Sequence, residues 1–189
     1  MFTDTHTHLY DEQLTAEEDI LMQRSLDAGV SKMYMPNCDS GTAAEMMRLA
    51  KKFPDNCYPM MGLHPCYVKD NYVQELAIVE DWLKQEKFYG VGEIGLDYYW
   101  DVTHVPQQVM AFEQQIDWAL QYDLPIIIHS RESTQDCINI VSKKQKGSLR
   151  GIFHCFSGTL EEAKQIIDLG FYLGIGGVVT FKKSRLPDI

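Results

Sequence analysis

Short apolar runs alternate along the whole chain with longer stretches in which apolar residues recur every three or four positions. The short runs are FTDTHTHL at 2–9, SKMYMPN at 31–37, CYPMMGL at 57–63, FYGVGEIGL at 88–96, PIIIHS at 125–130, GIFHCF at 151–156 and FYLGIGG at 171–177. Between them the spacing predicts helices over 15–29, 41–53, 73–86, 107–122, 132–145 and 159–169. In 107–122, for example, Val109, Ala111, Phe112, Ile116, Ala119 and Leu120 recur at steps that line one face of a helix. PIIIH is apolar at successive positions, which suits a strand buried on both faces of a parallel sheet.

Strand and helix in strict alternation leave two architectures, an open doubly wound sheet or a closed (β/α) barrel. No GxGxxG follows the first strand, so nothing supports the dinucleotide-binding version of the open sheet. Seven βα units are recognisable, the last running into a tail. No linker or low-complexity segment divides residues 1–189, which are read as a single domain.

The chemistry is carried by position. His6 and His8, His64, Glu93, His129 and His154 are each expected at or just past the C-terminal end of a predicted strand. In a parallel barrel those ends share one face, where active sites gather. His6 and His8 are one residue apart, so an extended strand points both rings the same way. Asp4 is in phase with them, as a ligand or, more in keeping with its place, as a carboxylate supporting one. Glu93 sits between Gly92 and Gly95, whose small size allows close approach, and its two oxygens offer a bridge between paired cations. Imidazole with carboxylate disfavours calcium and leaves zinc, manganese, iron or magnesium open, as one or two divalent ions.

Around this set, Arg131 offers a bidentate fork to phosphate. Ser130 offers a local hydrogen bond, and Glu132 is expected to begin the next helix. Gly174, Gly176 and Gly177 stand where many barrels bind phosphate through backbone amides. Tyr98, Tyr99 and Trp100 are candidates to line the pocket mouth and stack bases, whereas Trp82 and Trp118 fall in helical stretches and are expected in the core.

Composition narrows the picture. The 189 residues carry a formal charge of −10 and a pI near 5.0, which excludes a broad phosphate-tracking surface. A nucleic-acid substrate would be met locally. Five cysteines without a CxxC pair suit reduced thiols. No long apolar run and no leader-like N-terminus is visible, so the expectation is a cytoplasmic protein without membrane association.

Taken together, TDTHTHL, GLHP, GEIGLDYY, PIIIHSRES and HCFSGT resemble the TatD family of metal-dependent deoxyribonucleases, within the amidohydrolase-like superfamily. The resemblance implies a TIM-type (β/α) barrel with a two-metal centre in which His6, His8 and Glu93 hold one ion and Glu93, His129 and His154 the other. It also implies that His64 and Arg131 line the substrate pocket, and that the reaction is metal-assisted hydrolysis of DNA phosphodiesters. With Glu93 these two residues form the expected catalytic set. Relatives that hydrolyse cyclic amides commonly bridge their metals with a modified lysine, and none stands at 93. Family members continue to an eighth strand bearing an aspartate, which this sequence is read as lacking. Strands one and seven are then expected to have open edges, with self-association if no other segment seals the gap and a monomer if one does. Two rival readings stay open: a hydrolase of small phosphoesters or amides, and a metal-binding protein without turnover.

Overall fold

The computed structural model describes all 189 residues and contains seven parallel strands with helical crossovers. The strands are β1 (Phe2–Asp4), β2 (Val30–Pro36), β3 (Cys57–Met60), β4 (Val91–Asp97), β5 (Ile126–Arg131), β6 (Gly151–Phe153) and β7 (Tyr172–Leu173). The helices are α1 (Glu12–Thr15), α2 (Glu18–Asp27), α3 (Ser40–Lys52), α4 (Tyr72–Gln85), α5 (Val105–Gln121), α6 (Thr134–Lys144) and α7 (Leu160–Asp168). Strands pair in chain order, β1-β2-β3 and β4-β5-β6-β7, and a single bridge between Met61 and Val91 joins the two groups. This is the strand order of a (β/α) barrel, with β1 and β7 each paired on one side as expected.

Six of the seven strands carry a helical crossover to the next, and the core lies between sheet and helices. Met33 and Met35 of β2, Ile94 and Leu96 of β4, Ile126 and Ile128 of β5, and Phe112 and Ile116 of α5 are all essentially inaccessible. Every residue of β4 is buried, which makes it the most enclosed strand of the molecule. Trp118 joins this core and Trp82 packs against it.

The differences from expectation are local. The helix predicted over 15–29 is α2, shortened to Glu18–Asp27, and the one-turn α1, where the Asp11 side chain accepts from Gln13 N–H, precedes it. The first strand stops at Asp4 rather than Leu9, although Thr7 N–H still donates to Tyr34 O and keeps the segment beside β2. Glu93 lies in the middle of β4, not at its end. Glu132 does not begin a helix: its φ is +55, and α6 starts at Thr134. After β7 the chain makes only short 3-10 turns, at Gly177–Thr180 and Leu186–Asp188.

Candidate metal centre

The centre is built outward from β4. Glu93 and Asp97 share a face of the strand with Gly95 between them, and both reach the ring of His129 on neighbouring β5. That packing requires glycine twice. A Cβ on Gly92 would stand 2.6 Å from Ile127 Cβ, and one on Gly95, where φ is +139, would stand 2.0 Å from His129 O. No side chain fits either place, which gives the glycines around Glu93 their physical reason.

The two oxygens of Glu93 face different partners. Oε2 is 3.1 Å from His6 Nε2 and 3.8 Å from His8 Nε2. Oε1 is 3.2 Å from His129 Nδ1 and 3.9 Å from His64 Nε2. Two groups of ligand atoms therefore converge, His6 with His8 and Glu93, and His64 with Glu93 and His129. His154, reached just past β6, belongs to neither group; its ring stacks on His6 with centroids 3.3 Å apart and planes 11° from parallel. Asp4 stays exposed outside the cluster and accepts only from the His6 backbone N–H, at 3.0 Å.

The donor set fits divalent cations. Four imidazoles and one carboxylate present unshared pairs at short mutual distances, and His6 Nδ1 is buried with no hydrogen-bond partner. For His8 the ligating atom is specified from behind. The Tyr10 hydroxyl gives its one proton to Pro36 O, so it accepts from His8 Nδ1–H at 2.7 Å. Neutral His8 then presents a bare Nε2 toward Glu93.

Electrostatics follow from this packing. Burial opposes ionisation of Glu93, but hydrogen bonds from His129 and His6 outweigh it and hold the carboxyl well below its usual range. Burial also pushes His64 and His154 down to about 4, with help from neighbouring imidazoles, and lowers His8. His129 moves the other way: burial works against its charge, yet Glu93 and Asp97 together raise it.

Sequence reasoning overlooked four supporting residues. Asp97 is buried, with Oδ2 2.8 Å from His129 Nε2 and Oδ1 accepting from the amides of Tyr99 and Trp100. The signal was available, since residues 93, 95 and 97 alternate onto one strand face. Tyr10 stands two residues from His8, but Pro36, which takes its proton, is remote in sequence. Gln108 and Gln115, seven apart on α5, are buried and bond the backbone of Asp97 and Leu63 respectively.

A cavity of about 1140 Å³ opens over the cluster and is lined by His6, His8, His64, Glu93, His129 and His154. Arg131, Ser130 and Glu132 form one wall and Val178 and Phe181 another. The region after β7 thus reaches the cavity through apolar side chains, and Gly174, Gly176 and Gly177 are not among its lining residues. Arg131 lies over the Tyr99 ring, 4.1 Å from its centroid, and 6.0 Å from that of Trp100. Tyr98 instead donates to Asp136. No helix is long and apolar enough to cross a membrane.

The chain is similar to known proteins in sequence and in fold. The profile of the family described as TatD related DNase matches residues 3–188. The metal-dependent hydrolase YabD of Bacillus subtilis, itself uncharacterized, is 34% identical over 187 residues, 99% of this chain and 73% of its own length. A 3'-5' ssDNA/RNA exonuclease TatD from Erwinia tasmaniensis is 27% identical over 174 residues, 92% of this chain and 67% of that protein. The crystal structure of YJJV, a TatD homologue from Escherichia coli, superposes with a TM-score of 0.92 at 30% identity, covering 99% of this chain and 73% of the other. The strand order described above is that of this TIM-barrel fold.

Proposed function

From the premise that this chain belongs to the family of TatD-related DNases and is a metal-dependent hydrolase acting on ester bonds, we propose that it hydrolyses phosphodiester bonds in DNA. The observation that carries the reading is the division of Glu93, one oxygen toward His6 and His8 and the other toward His129 and His64. His6, His8 and Glu93 would hold one cation; Glu93 and His129 would hold a second, with His154 as a further ligand from the cavity wall. When bound, divalent ions at such a site make a water nucleophile available at neutral pH and offset charge on a phosphate.

The chain's own residues do the rest. Glu93 stays ionised between the two groups, so it carries negative charge to both sides. Tyr10 keeps His8 Nε2 free of its proton. Arg131, held over the Tyr99 ring at the rim, presents its guanidinium to a phosphate oxygen. Trp100, 70% exposed beside it, offers a face on which a base can stack. With a charge of −10, the chain meets its polyanion only at this mouth.

The test is cleavage of end-labelled single-stranded oligonucleotides by protein loaded with zinc or manganese, alongside small phosphoesters and amides. Turnover on oligonucleotides, lost with chelator and lost in Glu93→Ala, is the expected result. A Glu93→Ala protein that binds metal and cleaves like the parent refutes the reading, and turnover confined to small esters replaces its substrate.

A further inference from the structure

The cavity over the metal centre is polar almost throughout. Its lining holds histidines, carboxylates, hydroxyls and Arg131, and the only large apolar side chains among them are Val178 and Phe181. Both come from the 3-10 turn after β7, Gly177–Thr180, with Phe181 at its C-terminal cap. Three residues make one turn of such a helix, so side chains three apart eclipse and Val178 and Phe181 share one face. Phe181 N–H on Val178 O at 3.1 Å and Thr180 Oγ1 on Gly177 O at 2.8 Å close the turn.

The turn is tied to the strand end that carries His154. Gly174 N–H donates to Phe153 O and Gly174 O accepts from Phe156 N–H, both at 2.8 Å, so the chain after β7 runs beside the His154 loop. Gly176 continues that contact, since a Cβ there would stand 3.0 Å from Cys155 Sγ. The apolar pair follows directly on this packed segment, yet Phe181 keeps 64% of its surface exposed. A lone exposed phenylalanine signals little. Two apolar side chains on one turn, at the wall of a polar cavity, present a face that the protein itself does not cover.

Resting on the hydrolase reading above, we propose that Val178 and Phe181 form a nucleobase subsite, the surface on which a base beside the scissile phosphate stacks. A nucleotide is divided as the cavity is. Its phosphate suits the metal centre and the Arg131 guanidinium, and its base offers a flat apolar face to Phe181. The cavity, at about 1140 Å³, exceeds what a drug-sized ligand needs, so phosphate and base fit in it together. Neither side chain has a hydrogen-bonding group with which to read a base edge, so the subsite asks for a base without asking which one. It therefore separates esters flanked by a base from equally charged esters that lack one.

The test compares the dinucleotide of thymidine with its abasic counterpart, in which hydrogen replaces both bases, as substrates of zinc-loaded protein. The parent is expected to favour the dinucleotide in kcat/KM by about 10-fold or more, Phe181→Ala to approach parity, and Phe181→Trp to keep the preference. Phe181 is exposed, so these substitutions retain the fold, which melting curves check. A second readout needs no turnover. The fluorescence of a 2-aminopurine deoxynucleoside monophosphate, quenched when the base stacks, should fall on binding to zinc-loaded parent and stay level with Phe181→Ala. The same preference in parent and Phe181→Ala, or the same quenching, overturns the proposal. Quenching that depends on Phe181 in a protein that cleaves neither dinucleotide nor oligonucleotide leaves the subsite standing and defeats the nuclease reading alone.

Discussion

Glu93 remains charged in a buried place because imidazoles on two sides supply what water would have supplied, and its neighbours bear the consequence. His64 and His154 are held neutral by burial, with pKa values near 4 against the ordinary 6.5. Between those values the unfolded chain binds protons that the folded one refuses, so folded stability falls as pH drops through that window. His129, raised by its carboxylates, acts in the opposite sense, but only above 6.5, where its stabilising charge is progressively lost. The metal-free protein is therefore expected to lose thermal stability between about pH 6.5 and 4.5, above the ordinary carboxylate range. Melting curves at fixed ionic strength check this, and a flat profile over that interval contradicts the burial of the two rings. Tyr10 gives a second residue-level expectation. Tyr10→Phe removes the hydroxyl between His8 and Pro36 without removing the ring, so zinc affinity should drop about 10-fold with the fold retained. Unchanged affinity would mean that the tautomer of His8 is set by something else.

At the scale of elements, the site depends on α5 as much as on the strands that carry it. Gln115 bonds both the N–H and the C=O of Leu63, next to His64, and Gln108 does the same for Asp97. Both glutamines are buried, so replacing either by an apolar residue leaves backbone groups without partners. Gln115→Leu should cost about 2–5 kcal/mol from two orphaned groups, read as a lower urea midpoint with unchanged slope. A cost under about 0.5 kcal/mol would show that the loop before His64 finds other partners. The period of α5 was legible in the sequence, as were the strands of β2, β4 and β5, because apolar spacing reports which face is buried. The role of its two glutamines was not, since their partners lie 52 and 11 residues away. The one-turn α1 before α2 was not foreseen, because four residues started by a cap at Asp11 are too few to show a period.

For the whole molecule, an acidic surface with a local site predicts how substrate binding responds to salt. Each phosphate neutralised on a single strand contributes about −0.7 to the slope of log K against log salt, so one or two contacts at Arg131 and its surroundings give a slope near −1. Oligonucleotide binding measured across a salt series should show that shallow dependence. A slope steeper than about −4 would require a basic track along the protein that the charge of −10 does not provide. The sequence by itself determined the alternation of strands and helices and the ligand-type residues at the barrel face, because both follow from local spacing and residue chemistry. Only the tertiary structure decided that Glu93 sits mid-strand between two groups, that His64 rather than His154 stands with His129, and that Asp97 and Tyr10 stand behind the imidazoles. Those are relations between strands, set by register and by how closely glycine lets β4 and β5 approach, and no local pattern encodes a distance between residues so far apart along the chain.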